Sequence, residues 1–148
     1  MKAKNIVLVE DNPDDEALAL KALKKANIMN EIVVLRDGAQ ALDYFFGPKA
    51  ADCSECVTAV VLLDLKLPKV DGLEVLRRLR AEPKTQYLPV VILTSSNEER
   101  DLARGYQLRA NSYVRKPVDF NQFAEAVRQL GLYWLLLNEA PPEGIEAK

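Results

Sequence analysis

Val57-Thr58-Ala59-Val60-Val61-Leu62-Leu63-Asp64-Leu65-Lys66-Leu67-Pro68-Lys69-Val70-Asp71-Gly72 is the stretch on which the fold turns. Residues 57–63 are apolar or β-branched without interruption. That is the pattern of a strand covered on both faces, because a strand with one wet face alternates apolar with polar. Such a strand sits inside a parallel sheet flanked by helices. Asp64 closes the run and stands where the chain turns sharply. A second apolar run, residues 6–9, ends in the same manner on Glu10 and Asp11.

Outward from this strand, apolar runs alternate with segments of helical period. Residues 5–9 form the first strand pattern, followed by Asn12 as N-cap and Pro13 at the first helical position. Asp14, Asp15 and Glu16 occupy the first turn, where the helix dipole favours acids, and Ala19, Ala22, Leu23 and Ala26 mark the apolar side. Residues 31–35 read as a strand, 37–46 as a helix and 47–56 as a longer polar loop. Residues 72–81 read as a helix with Leu73, Leu76 and Leu79 inside and Arg77, Arg78 and Arg80 outside, stopped by Pro83. Residues 89–93 form a fourth strand, and Ser96 with Glu99 suggests a capping box for a helix over 97–108. A short strand over 112–114 precedes a last helix over about 120–138, capped by Asp119 and Gln122. The pattern predicts an α/β, doubly wound, five-stranded parallel sheet with five helices and an extended last helix. Residues 1–138 read as a single domain and residues 139–148 as a flexible C-terminal tail.

The bulk properties narrow the function. With 148 residues and 49% apolar content the chain fills a core. Its net charge of −2 and lack of a basic block speak against a nucleic-acid partner. No apolar stretch long enough to span a membrane and no signal-peptide pattern is present, so the expected location is the cytoplasm. Cys53 and Cys56 are the only cysteines and histidine is absent, so a four-ligand zinc site cannot be completed from N and S donors. The pair reads as loop thiols that stay reduced. Without histidine, neither phosphohistidine chemistry nor a Ser-His-Asp triad can reside here.

In an open α/β sheet, chemistry gathers outside the carboxyl ends of the strands. Glu10-Asp11, Asp64, Thr94-Ser95-Ser96 and Lys116-Pro117 each follow a strand pattern and so converge on one edge. Clustered carboxylates repel one another unless a cation joins them, and all-oxygen ligands suit Mg²⁺, or Mn²⁺ in its place. A metal there would neutralise an incoming phosphoryl group, and a carboxylate that attacks phosphorus becomes an aspartyl phosphate. Lys116 supplies a point charge for a phosphoryl oxygen and Thr94 a hydroxyl donor. Taken singly, each motif has a plainer reading. Asp64 could be a turn acid, Glu10 and Asp11 helix-capping acids, Thr94 a turn hydroxyl, Lys116 a solvated lysine and Tyr113 a packed aromatic.

Val9-Glu10-Asp11-Asn12-Pro13, Asp64-Leu65-Lys66-Leu67-Pro68 with Asp71-Gly72, Leu93-Thr94-Ser95-Ser96 and Tyr113-Val114-Arg115-Lys116-Pro117 together resemble the receiver domain of two-component response regulators. The resemblance covers about residues 4–130 and implies the flavodoxin-like receiver fold. It implies a phosphoacceptor at Asp64 and a metal site of Glu10, Asp11, Asp64 and the Lys66 backbone carbonyl. Thr94 and Tyr113 would then be the switch pair, Lys116 the phosphate-sensing lysine, and the Lys116–Pro117 bond cis. The whole chain is similar to the stand-alone receivers paired with phytochrome-type histidine kinases, through Asp14-Asp15, the enlarged 47–56 loop, Leu-Thr-Ser-Ser and the long last helix. A separate kinase would donate the phosphoryl group. This chain would be a signalling switch rather than an enzyme, limited to self-assisted phosphotransfer and autodephosphorylation and lacking an output domain.

Three other readings compete. An aspartyl-phosphate phosphatase would carry an acid two residues after the nucleophile, where this chain has Lys66. A flavin carrier would need a hydroxyl- and glycine-rich loop after the first strand, where this chain is acidic. A pseudo-receiver that works by binding alone would not need the complete acceptor set. The run Leu130-Gly131-Leu132-Tyr133-Trp134-Leu135-Leu136-Leu137 is too apolar for an ordinary surface helix. Leu132, Tyr133, Leu136 and Leu137, with Tyr113 on the fifth strand, are expected to form a homodimer interface rather than a membrane contact.

Overall fold

The computed structural model describes residues 3–48, 56–116, 119–139 and 142. Its elements run β1 (Ala3–Val9), α1 (Pro13–Lys25), β2 (Ile32–Leu35), α2 (Gly38–Phe46), β3 (Cys56–Leu63), α3 (Gly72–Ala81), β4 (Val90–Thr94), α4 (Glu99–Gln107), β5 (Ser112–Arg115) and α5 (Phe120–Leu132). A π-helical turn over Tyr133–Leu137 ends the series. All five strands are parallel, in the order β2-β1-β3-β4-β5. Chain order reverses at β1, and β1 and β3 lie side by side there, so the residues that follow them share one crevice.

The sheet divides the apolar residues by parity. Val7, Val9, Val61, Leu63, Val90 and Ile92 face a core built with α2 and α3. Ile6, Leu8, Val60, Leu62, Val91 and Leu93 face the opposite core, built with α1 and α5. β3, at the centre, gives both cores fully buried side chains, as its uninterrupted apolar sequence requires. Each such aliphatic side chain stabilises the fold by about 1.5–3 kcal/mol through burial.

Local chemistry sets the element ends. Asn12 Oδ1 accepts from the Asp14 and Asp15 amides, Asp71 from Glu74 and Asp119 from Gln122. Three expectations are corrected. The capping box of Ser96 and Glu99 does not form: α4 starts at Glu99, and the Ser96 hydroxyl donates to the Asp101 carboxylate at 2.6 Å. Arg80 is not outside; its guanidinium donates to the carbonyls of Gln86, Leu88 and Arg109 and to Asn111 Oδ1. The last helix is not α-helical to residue 138. It widens at Tyr133–Leu137, with the Asn138 amide bonded to the Tyr133 carbonyl, and Trp134 is buried against the α1–α5 core.

Among the described residues no helix is long and apolar enough to cross a membrane. Cys53, Pro117 and most of the tail lie outside the described residues, as do the expectations that fall on them.

Candidate functional site

Two short loops deliver the acids. After Val9, the Glu10 amide donates to the Leu35 carbonyl and the Glu10 side chain turns inward, buried. Its Oε2 accepts the Asn12 amide at 3.1 Å, so the same turn that starts α1 fixes this carboxylate. Asp11 stays exposed at the rim. After Leu63, the Asp64 amide donates to the Val9 carbonyl at 3.1 Å, which locks the end of β3 to the end of β1. Asp64 Oδ1 faces the Lys66 amide at 3.4 Å.

The chain behind Asp64 is held by two glycines. A Cβ on Gly72 would overlap the Asp64 carbonyl, and a Cβ on Gly38 would overlap the Val70 carbonyl. α3 and α2 therefore press directly on the loop that carries Asp64, and Lys69 within it adopts a left-handed φ of 69°.

One oxygen each from Glu10, Asp11 and Asp64 lies within 4.8 Å of the others. Lys116, delivered by β5, enters the same crevice, with its amide bonded to the Thr94 carbonyl at 2.7 Å. Its Nζ donates to Glu10 Oε1 at 2.6 Å, Asp15 Oδ2 at 2.9 Å and Asp64 Oδ2 at 3.0 Å. Burial pushes the Glu10 carboxyl up to about 7, against the pull of the Lys116 ammonium, and the neighbouring Asp64 charge pushes the same way. Burial by itself would lower the pKa of Lys116; its hydrogen bonds to Glu10 and Asp15 outweigh that and hold it above the ordinary lysine range.

Of the residues singled out in the sequence, Glu10, Asp11, Asp64 and Lys116 meet at one point. Thr94 is fully buried at the end of β4, where its Oγ1 accepts the Ser96 amide at 3.3 Å. Tyr113 packs beneath α4 against Ile92 and Tyr106, and its buried hydroxyl has no hydrogen-bond partner among the described residues. The Lys66 ammonium reaches across to Asp101 at 3.6 Å, which in turn holds the Ser96 hydroxyl. Tyr133, Leu136 and Leu137 are exposed, the two leucines at 73%, whereas Leu132 is half-buried.

Asp15 was not singled out as a site residue. Asn12 caps α1 at the end of β1, which places the third helical residue back over the crevice. That relation between cap and crevice is the signal the sequence carried.

The donor set fits a hard divalent cation: three carboxylates with oxygen donors only, and an ammonium bonded to two of them.

Residues 6–128 match the family model described as the response regulator receiver domain. The response regulator Rcp1 of Synechocystis is 36% identical over 132 residues, which are 89% of this chain and 89% of that protein. A crystal structure of its Mn²⁺-bound form superposes with a TM-score of 0.83 at 34% identity, covering 94% of this chain and 99% of that one. The phosphorylated cyanobacterial phytochrome response regulator RcpA gives a TM-score of 0.85 at 34% identity, over 95% of this chain and 99% of that one. The bacteriophytochrome response regulator AtBRR is 52% identical, with a TM-score of 0.71 over 94% of this chain and 100% of that one.

Proposed function

The chain belongs to the response regulator receiver family, and from that premise we propose that it is a cytoplasmic phosphoacceptor switch for a phytochrome-type histidine kinase, with residues 1–138 as one receiver unit and Asp64 as the acceptor. The observation that carries this reading is the meeting of Glu10, Asp11, Asp64 and Lys116 at one crevice outside the sheet edge.

In this reading an Asp64 carboxylate oxygen bonds to phosphorus as the P–N bond of the kinase phosphohistidine breaks, and the freed imidazole leaves with the bond's electron pair. Glu10, Asp11, Asp64 and the Lys66 backbone carbonyl would hold the divalent cation, Mg²⁺ in the cell. When bound, it supplies charge neutralisation for the phosphoryl oxygens. Asn12 and the β1–β3 lock keep the acids oriented, and Lys116 contributes a compact positive charge from a buried position. Thr94 and Tyr113 pass the event to α4. Phosphorylation favours a conformer in which the buried Tyr113 hydroxyl gains a partner, a shift of an existing population. The kinase pairing is argued from RcpA, a cyanobacterial phytochrome response regulator, and AtBRR, a bacteriophytochrome response regulator, both similar to this chain over most of its length, and the low net charge favours protein partners over nucleic acid.

The test is intact-mass spectrometry of the wild type and Asp64→Asn after acetyl phosphate, with Mg²⁺ or with EDTA. One phosphoryl adduct that requires both Mg²⁺ and Asp64 is the expected result. An adduct that survives Asp64→Asn would overturn the assignment. Transfer from a purified bacteriophytochrome kinase, faster than from an unrelated histidine kinase, is expected for the partner.

A further inference from the structure

Lys116 has three N–H donors, and each finds a carboxylate: Glu10, Asp15 and Asp64. Two of these partners belong to the oxygen cluster suited to a cation. Asp15 does not. The Lys116 side chain is only 8% exposed, so its ammonium has little access to water if its partners are taken away. Both Glu10 oxygens are already engaged, Oε1 by Lys116 and Oε2 by the Asn12 amide. A cation that takes Glu10 and Asp64 as ligands therefore competes with Lys116 for the same oxygens and repels it. Asp15 stands on the first turn of α1, fixed by the Asn12 cap. It is the one partner that the incoming charge does not claim.

We infer that Asp15 is a positioning residue that keeps Lys116 paired when a divalent cation draws Glu10 and Asp64 away, so that metal entry does not strand a buried ammonium. This rests on the metal site proposed above. Asp15 is worth more in the metal-bound protein than in the metal-free one, because in the latter Glu10 and Asp64 already balance Lys116. Its loss weakens metal binding.

The experiment is isothermal titration of the full chain with Mg²⁺ alone, for wild type, Asp15→Asn, Asp14→Asn, Lys116→Met and the double variant Asp15→Asn/Lys116→Met. Asp14 is exposed on the same turn and serves as the charge control. Asp15→Asn is expected to weaken Mg²⁺ by about five- to tenfold and Asp14→Asn by less than about twofold, the size of a contact coupling against that of a screened charge. Lys116→Met is expected to tighten binding, and in that background the effect of Asp15→Asn is expected to fall below about twofold. Equal effects at Asp14 and Asp15, no effect at Asp15, or an undiminished effect without Lys116 would each overturn the inference. The last would make Asp15 a direct or water-bridged ligand. If Lys116→Met does not fold, Lys116→Gln completes the same cycle. A wild type that binds no Mg²⁺ removes the metal site and the inference together, whereas normal wild-type binding with an unaffected Asp15→Asn removes the inference alone.

Discussion

Glu10 carries the pH dependence of the metal-free protein. Its carboxyl, raised by burial to about 7 from an unfolded value of 4.5, keeps a proton in the folded chain that the unfolded chain has released. Between those values folding takes up a proton, so this stabilisation is complete below the unfolded value and is lost as pH rises through about 7. The chain has no histidine to titrate in the same window. In EDTA, the melting temperature is expected to fall by on the order of 5 °C from about pH 5 to about pH 7.5. Glu10→Gln should flatten that slope, and parallel slopes for the two proteins would refute the assignment. Glu10, Asp64 and Lys116 were legible as strand-end residues. The inward turn of Glu10 and the part played by Asp15 were not, because both depend on where the Asn12 cap aims the first turn of α1.

Elements hold the site by close approach. Gly38 and Gly72 let α2 and α3 press on the loop behind Asp64. Gly38→Ala should destabilise by about 1–3 kcal/mol in urea titration, the usual range for overpacking. Gly72→Ala should cost a similar amount, about 1–3 kcal/mol, and should also slow phosphoryl acceptance, since its Cβ would displace the Asp64 carbonyl. Arg80 closes the other end of the sheet by forking onto three carbonyls and Asn111. Arg80→Ala should cost about 2–3 kcal/mol, and Arg80→Lys should recover little of it, because an ammonium lacks the planar fork. Helical periodicity put Arg80 outside; its guanidinium reaches carbonyls beyond the helix, at Gln86, Leu88 and Arg109, and helical periodicity does not report that. The Ser96 cap fails because its hydroxyl is taken by Asp101, within the first turn of α4.

At the scale of the molecule, the π-helical turn sets which residues remain outside. Trp134 enters the α1–α5 core while Tyr133, Leu136 and Leu137 stay exposed. We propose this patch as the homodimer interface. Sedimentation at micromolar protein should show a dimer for the wild type and a monomer for Leu136→Glu/Leu137→Glu, with thermal stability changed little because both leucines are 73% exposed. A wild-type monomer with and without a phosphoryl mimic would refute it. Tyr113, also expected in that interface, has its hydroxyl buried under α4, so it is suited to signal from within rather than to add exposed apolar area.

The sequence by itself determined the alternation of strands and helices, the central place of β3 and the convergence of four strand ends on one edge. Those follow from short-range patterns: uninterrupted apolar runs, helical period, caps, and the rule that parallel strands present their carboxyl ends together. Tertiary structure decided which oxygens pair with Lys116, that Arg80 is a strut and that the last helix opens at Tyr133. The Lys116 pairs and the Arg80–Arg109 bonds join residues distant along the chain, and the opening at Tyr133 accompanies the burial of Trp134 in the α1–α5 core. All depend on burial and on competition for a few donors and acceptors, quantities that exist only once the chain has packed.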